Sequence, residues 1–343
     1  MPEEDRGGDS GAPLGQTGGR RGEEFRVRTR GGLGPDEVRA LSRLSPLRAA
    51  LSLASTWALA AGCMTLAWRW PHPLVIAAAV VGVAGAQHGL AVLSHESAHY
   101  RGCQTRWLND LYGTLCAAPL GLSMLTYRVI HRIHHNHLYE ALDPDLPLMA
   151  GYPRGRWYLV RKLAKDLTGF TTLKNYLYFF GKPAGRTADN GRPLDDTSPS
   201  LRAAAARDRR LVIALQLGFL ASSIYFGFWR GYLLLWILPL VTLLQAILRL
   251  RAVLEHGAVE DTSTALKAAR TNFVPFYLYW ILFPHDVHYH IEHHLYPSIP
   301  HYRLARCHRL LRDQGILDGA EVATLGQAVR KVFAPVRLDQ GPA

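Results

Sequence analysis

Cysteines and acidic residues are scarce in this sequence, and each shortage narrows the class of protein. The 343 residues include only four cysteines, which show no paired spacing. We therefore expect free thiols, with no disulfide framework and no cysteine-based zinc site. Lys and Arg outnumber Asp and Glu by 39 to 27, so the net charge is +12. Such a charge suits nucleic acid or an anionic membrane surface, but no helix-turn-helix, zinc-finger or RNA-binding pattern occurs, so we expect no nucleic-acid partner.

Long apolar runs indicate that the chain is a membrane protein. Uncharged or nearly uncharged stretches of about the length that crosses a ~30 Å hydrocarbon core occupy residues 49–68, 74–94, 211–229 and 231–248. Only short reversals separate the members of each pair, so we predict four transmembrane helices in two antiparallel hairpins. Basic residues concentrate outside these reversals, which places both termini and the connecting segments in the cytoplasm of an integral protein of the cell membrane.

The remaining segments have weaker patterns. Residues 1–35 are rich in Gly and charged residues, which predicts a disordered cytoplasmic tail, and residues 311–343 are expected to form a cytoplasmic helix and tail. Interruptions by Gly and Pro favour a re-entrant segment at 111–126. An amphipathic surface helix or pair is expected at 157–180, a flexible loop at 181–200, and interfacial packing at 273–284.

Histidines recur at helical spacing in three places. The first box holds two of them and the other two hold three each: His95 and His99; His131, His134 and His135; His290, His293 and His294. Side chains three and four residues apart share a side of a helix. Eight imidazoles exceed what one metal ion can bind, and an all-imidazole set suits iron, copper, nickel or zinc, so we predict two metal ions. His256, on a continuation of the fourth span, is a candidate ninth ligand.

Two other readings start from the same residues. The first box, His95-Glu96-Ser97-Ala98-His99, matches the His-Glu-x-x-His signature of zinc proteases, but such an enzyme would leave the other six box histidines unexplained. A transporter or metal-storage protein would place ionisable residues near the middle of its spans. These spans are nearly free of them.

The three boxes and the hairpin pattern together resemble the membrane fatty acid desaturase and hydroxylase superfamily. The likeness covers residues 45–310, and residues 289–304 are similar to the third-box region of bacterial and plant-type acyl-lipid desaturases. It implies an all-α integral membrane protein with a cytoplasmic helical cap that carries the boxes. It also implies that the eight box histidines and His256 coordinate two iron ions, which use O₂ to remove hydrogen from an unactivated methylene.

The same resemblance suggests residues that support the ligands. Acidic residues follow the second box in the family as Asp143 and Asp145 do here, and they can accept ring N–H bonds from ligand histidines. Three more carboxylates neighbour candidate ligands, namely Glu96, Glu255 and Glu292. His288 stands where related sequences often have Asn, so it can join the metal shell or contact bound water.

The activity that the resemblance favours is O₂-dependent desaturation of a fatty acyl chain. Hydroxylation or ketolation of an acyl or carotenoid substrate, and oxidative decarboxylation of a fatty acid, stay open on the same site. The sequence has no cytochrome b5-like haem segment, no cysteine set for an iron–sulfur cluster and no dinucleotide-binding Gly fingerprint. We therefore expect electrons from separate proteins, which by resemblance are a ferredoxin-like carrier and a reductase that uses NAD(P)H.

Overall fold

A computed structural model describes residues 32–181 and 198–335 of the chain. Most of the predicted tail, most of the predicted loop 181–200 and the last eight residues lie outside the described residues. The described part is mostly helical and includes one pair of short strands. The α-helices are α1 Pro35–Leu41, α2 Pro46–Arg69, α3 Pro73–Ala98, α4 Arg106–Ala117, α5 Met124–Asn136, α6 Leu146–Met149, α7 Arg156–Leu167, α8 Phe170–Gly181, α9 Pro199–Tyr225, α10 Trp229–Tyr232, α11 Leu238–Val241, α12 Leu243–His256, α13 Tyr279–Leu282, α14 His290–Leu295, α15 His301–Asp313 and α16 Leu325–Val332; the strands are β1 Arg270–Phe273 and β2 Glu321–Thr324.

The first predicted hairpin is formed by α2 and α3, which are both long and apolar enough to cross a membrane. Each helix starts with a proline, whose missing N–H costs nothing in the first turn, and the side chain of Ser45 caps α2 by accepting from the amide of Arg48. Most of α2 is exposed, whereas the second half of α3 is buried. Helix α3 therefore lies at the centre of the molecule, where it contacts α2, α4, α5 and α12.

The second predicted hairpin is only partly reproduced. Residues Trp229–His256 form a third helix with the length and apolarity of a span, which includes a π-helical segment at Leu233–Ile237. Helix α9 has charged residues up to Arg210 and ends at Tyr225, just before Gly227, whose φ of +75° is a conformation that glycine adopts readily. The described residues thus contain three candidate spans, which fits the predicted all-α membrane class.

Helices α4 and α5 bring the second box to the end of α3. Asn109 on α4 accepts from the amide of Gly102 at 3.0 Å and donates to the carbonyl of Ser97 at 2.9 Å, which fixes the loop after the first box. The hydroxyl of Ser123, the N-cap of α5, donates to Asp208 of α9 at 2.6 Å. Ser123 thus ties α5 to α9, while Asn109 ties α4 to the end of α3.

The two strands pair in parallel, with Arg270 opposite Glu321. The fully buried guanidinium of Arg270 lies 2.6 Å from the Glu321 carboxylate and donates to the carbonyl of Leu254 on α12 at 2.9 Å. Farther along β1, the amide of Asn272 donates to the carbonyl of His288 at 3.1 Å. The chain after α15 is therefore fastened to the strand that supports the third box.

Candidate metal centre

The nine histidines predicted as ligands come together in two adjoining groups. One ring nitrogen from each member of the larger set lies within 4.8 Å of every other, and a second set of three meets the same criterion. His290 adjoins the second set, since its Nε2 lies 2.8 Å from that of His256 and 3.1 Å from that of His294. The five-histidine group is His95, His99, His131, His135 and His293; the four-histidine group is His134, His256, His290 and His294.

Each three-histidine box is divided between the two groups in the same way. His131 and His135, the outer pair of the second box, join one group, while His134 joins the other. In the third box the outer pair, His290 and His294, joins the four-histidine group, while His293 joins the five-histidine group. Residues four apart on a helix differ by only about 40° around its axis, whereas adjacent residues differ by about 100°. The spacing of each box therefore serves two sites from one helix.

The Nε2 atoms of the histidines face each other across each group. His131 and His99 approach to 2.7 Å, and His135 and His293 approach to 3.1 Å between these atoms. Across the boundary of the groups, the rings of His135 and His294 stack with their centroids 4.4 Å apart. Nitrogen atoms that converge in this manner can share either a proton or a cation. The pattern suits a pair of metal ions held side by side.

The outer nitrogens of two histidines in the four-histidine group are tied to the protein. His134 donates from Nδ1 to Asp143 at 2.9 Å, and Asp143 also accepts from the amides of Tyr139 and Asp145, at 2.9 Å each. His256 donates from Nδ1 to the carbonyl of Ala268 at 2.9 Å. Because a carbonyl only accepts, the proton of His256 lies on Nδ1, and Nε2 keeps a lone pair directed at the group.

Three other predicted supporting carboxylates lie near ligand histidines at longer distances. Glu255 lies 3.6 Å from Nδ1 of His290 and is held by Arg251. Glu96 lies 3.7 Å from Nδ1 of His95, and its other oxygen accepts from the amide of His301 at 2.8 Å. Asp145 lies 3.7 Å from His134, with its side chain more exposed than that of Asp143. These three carboxylates therefore lie beside candidate ligands but beyond hydrogen-bond distance of them.

Glu292 and His288 lie outside both groups. Glu292 accepts from the hydroxyl of Thr271 at 2.6 Å and from Nδ1 of His308 at 2.5 Å, so its polar contacts hold α14 to β1 and α15. The ring of His288 is buried against Tyr289, with centroids 4.0 Å apart. His308 was not predicted from the sequence, because its partner lies 16 residues away on another helix and no local pattern connects them.

Burial keeps most of these imidazoles neutral. It lowers the pKa of His99 to about 3, with the charges of Arg101 and Arg128 acting in the same direction. Burial and the neighbouring histidines also hold the pKa of the remaining box histidines of α5 and α14 well below the usual range, except at His134. For His134, burial acts to lower the pKa, but the hydrogen bond and charge of Asp143 outweigh it, so the pKa is raised.

The residues present fit a pair of metal ions. Neutral imidazole offers a lone pair, and nine of them exceed the needs of a single ion. Both ring nitrogens of His95 are buried without a hydrogen-bond partner, which is a costly state for a polar group unless another partner is supplied. A cation within the five-histidine group would satisfy one of them.

Comparison with known proteins agrees with this geometry. The family model described as fatty acid desaturase matches residues 68–323. The chain is 27% identical over 292 residues to a dihydrorhizobitoxine desaturase of Bradyrhizobium elkanii, covering 80% of this chain and 79% of that protein. It is 23% identical over 273 residues to an sn-1 oleoyl-lipid 12-desaturase of Synechocystis sp., covering 73% and 69%.

A third relative is an sn-1 acyl-lipid omega-3 desaturase (ferredoxin) of Nostoc sp., which is 25% identical over 236 residues and is matched over 62% of its length by 63% of this chain. The family match spans well over half of the chain and includes all nine grouped histidines. The protein is therefore an oxidoreductase that belongs to the fatty acid desaturase family.

Proposed function

We propose that this protein catalyses the O₂-dependent desaturation of a fatty acyl chain at a non-haem di-iron centre. The observation that carries the proposal is the division of nine converging, mostly buried histidines into two adjoining groups in a chain of the desaturase family. When bound, two iron ions would supply the activation of O₂ and the removal of hydrogen from an unactivated methylene, which no amino-acid side chain can perform.

The chain's own residues have distinct parts in this proposal. The five-histidine group would hold one ion and the four-histidine group the other. Asp143 and the carbonyl of Ala268 orient two ligands by accepting their Nδ1–H groups, and Glu255 and Glu96 are near enough to do the same once a ligand ring turns slightly. Burial of the centre excludes water, which protects reactive species from side reactions.

The proposed architecture has four spans with a cytoplasmic cap. Residues Leu211–Tyr225 of α9 are uncharged and would form the third span, paired with the helix that runs from Trp229 to His256. Helices α3 and α12 both end at candidate ligands, so these ends lie on the same side as the cap. The basic flanking segments assign that side to the cytoplasm, and with it both termini.

Electrons would come from a separate ferredoxin-like carrier, which a reductase would reduce with NAD(P)H. The name of the Nostoc relative includes ferredoxin, and the Synechocystis relative is named for an oleoyl lipid. Hydroxylation, ketolation or decarboxylation on the same site would need the same metal centre. A zinc protease would instead need Glu96 free to act on water, yet Glu96 is buried and accepts from the amide of His301.

The test is the metal content of the full chain purified in mild detergent, followed by product analysis. About two irons per chain and a new double bond in supplied acyl lipid would support the proposal. About one zinc per chain, with no oxidised product, would overturn it and favour hydrolysis. An oxygenated product with two irons would move the activity to the hydroxylase alternative.

A further inference from the structure

A cavity of about 770 Å³ lies between α2, α3 and the segment 279–289, and none of the nine grouped histidines lines it. It adjoins the metal centre at two points. His288 in its wall precedes the candidate ligand His290 by two residues, and His301 in its wall donates its backbone amide to Glu96, the neighbour of His95. The candidate spans α2 and α3 form one side of the cavity, so part of it lies within the membrane-spanning part of the fold.

The cavity changes from polar to apolar along α3. A Cβ at Gly89 would meet Thr56 at 3.0 Å and His285 at 3.3 Å, whereas a Cβ at Gly85, one turn away, would meet the ring of Trp280 at 2.6 Å. One helical turn is about 5.4 Å. On α2, the hydroxyl residues Ser52 and Thr56 line the polar end and Leu59 lies farther along the helix. The cavity is therefore shaped for a molecule with a polar end and an apolar chain.

The polar end offers a ligand an acceptor atom on His285. Thr56 donates its hydroxyl proton to the carbonyl of Ser52 at 2.8 Å, so it must accept from Nε2 of His285, also at 2.8 Å. This assigns the proton of His285 to Nε2 and leaves Nδ1 as an acceptor. The ring of His301 adds a contact with the hydroxyl of Ser52 through Nε2, at 3.2 Å.

Among the described residues that line the cavity, none is a cation and Asp286 alone carries a formal charge. Burial lowers the pKa of His285 to about 4 and that of His301 to about 3, so both are neutral at pH 7. His285 and Asp286 adopt consecutive positive φ angles, +56° and +55°, which side chains other than glycine rarely do. Backbone strain of this kind concentrates at binding sites, where the surrounding structure supports it.

We propose that the cavity binds the polar end of the substrate, and that this end is a hydrogen-bond donor without negative charge, namely a hydroxyl or an amine. A carboxylate or phosphate held there would find no cation among the described lining residues to offset its desolvation. A hydroxyl or amine can donate to Nδ1 of His285, and an ammonium can also pair with Asp286. The inference rests on the proposed function, since it specifies the substrate of the same enzyme.

The experiment compares three probes of equal chain length, 1-decanol, decylamine and decanoate, by the shift each causes in the thermal unfolding midpoint of the full chain in mild detergent at pH 7.5. Ligands that bind only the folded state raise that midpoint. Ser55→Phe fills the cavity mouth from an exposed position, and Ala58→Phe adds the same ring at an exposed position of α2 that does not line the cavity. We expect decanol and decylamine to stabilise the unaltered protein and the Ala58→Phe variant. Both probes should bind the Ser55→Phe variant at least about tenfold more weakly.

Asp286→Asn separates the two donors, because Asn tolerates a positive φ and removes only the charge. In this variant the stabilisation by decylamine should be weaker, and the stabilisation by decanol should be unchanged. Equal stabilisation by decanoate, or an equal decanol shift in Ser55→Phe and Ala58→Phe, would overturn the inference. Iron content and acyl product are measured on the same preparation. If the probes shift the unfolding midpoint through the cavity but the protein contains no iron, the proposed function alone is contradicted. If the protein contains two irons but the probes cause no such shift, the cavity inference alone is contradicted.

Discussion

The two histidine groups differ in how the surrounding protein supports them. In the four-histidine group, His134 and His256 donate to protein oxygens at 2.9 Å, and His290 has a carboxylate at 3.6 Å. In the five-histidine group, the nearest described carboxylate contact is that of Glu96 with His95 at 3.7 Å. The four-histidine group is oriented by hydrogen bonds before any metal binds. The five-histidine group relies instead on the packing of α3 against α5 and α14.

Removing one ligand from each group should have the largest effect. We expect His134→Ala and His293→Ala to abolish turnover and to lower the iron content from about two per chain, because each side chain offers a nitrogen to its group. Membrane insertion should be unchanged. His72→Asn is a matched control at the far end of α3, where Asn can replace the cap. Full activity in either alanine variant would contradict the di-iron proposal.

The supporting carboxylates test the comparison more directly. Asp143→Asn should weaken iron binding about 10- to 100-fold, the usual effect of losing an outer partner of a ligand. Glu96→Gln should cost less, since Glu96 is not within hydrogen-bond distance of His95. Iron retention during titration with a chelator measures both. If Glu96→Gln weakened iron binding more than Asp143→Asn, the assigned difference between the groups would be wrong.

The metal-free protein should lose stability as the pH falls. The lowered pKa values of His99, His131, His135 and His293 mean that the unfolded chain binds more protons than the folded chain below about pH 6.5. Each such histidine costs up to about 1.4 kcal/mol per pH unit. Thermal unfolding midpoints of chelated protein at pH 7 and pH 5 measure this loss, and equal midpoints would contradict it.

His134 should act in the opposite direction. Its raised pKa stabilises the folded chain below about pH 6.5, and this contribution is lost as the pH rises through the folded value. Asp143→Asn removes the cause of the raised pKa, so the fall in unfolding midpoint between pH 7 and pH 5 should become steeper. Glu96→Gln is the comparison variant from the other group. A shallower fall in Asp143→Asn would argue against this protonation of His134.

The smallest effect on iron should come from Glu292→Gln. Its carboxylate contacts Thr271 and His308 instead of a grouped histidine. Weakening such a buried charged contact typically costs about 1–3 kcal/mol of folding free energy. We expect a lower unfolding midpoint with iron binding weakened less than in Asp143→Asn. An equal loss of iron affinity in the two variants would show that Glu292 also supports a ligand.

Helical spacing and, for His256, the continuation of the fourth span were enough to predict which histidines come together, although metal binding by them stays a prediction. Local sequence shows which side chains share a helix face, and that face is a property of the helix itself. It does not show how the facing helices divide a box, so the crossing of His134 and His293 between groups appears only when α5 and α14 are packed against each other.

The fold was predicted less completely for a similar reason. Apolar length predicts spans well where a run is long, as in α2 and α3. The uncharged part of α9 is short, and charged residues precede it within the same helix, so the third of the four predicted spans stays a prediction. The pairing of β1 with β2 joins segments about fifty residues apart, and neither segment is long enough for its periodicity to be recognised.

The division of the boxes also has a consequence in time. Each group takes histidines from α5 and from α14, and in the five-histidine group His293 follows His95 by 198 positions. At a synthesis rate of about 5–20 residues per second, the first box waits roughly 10–40 seconds for the third. Neither site can be completed while α14 is still unmade, so a nascent chain has no complete metal site. Under the proposed function, iron can therefore fill both groups only after α14 has been made.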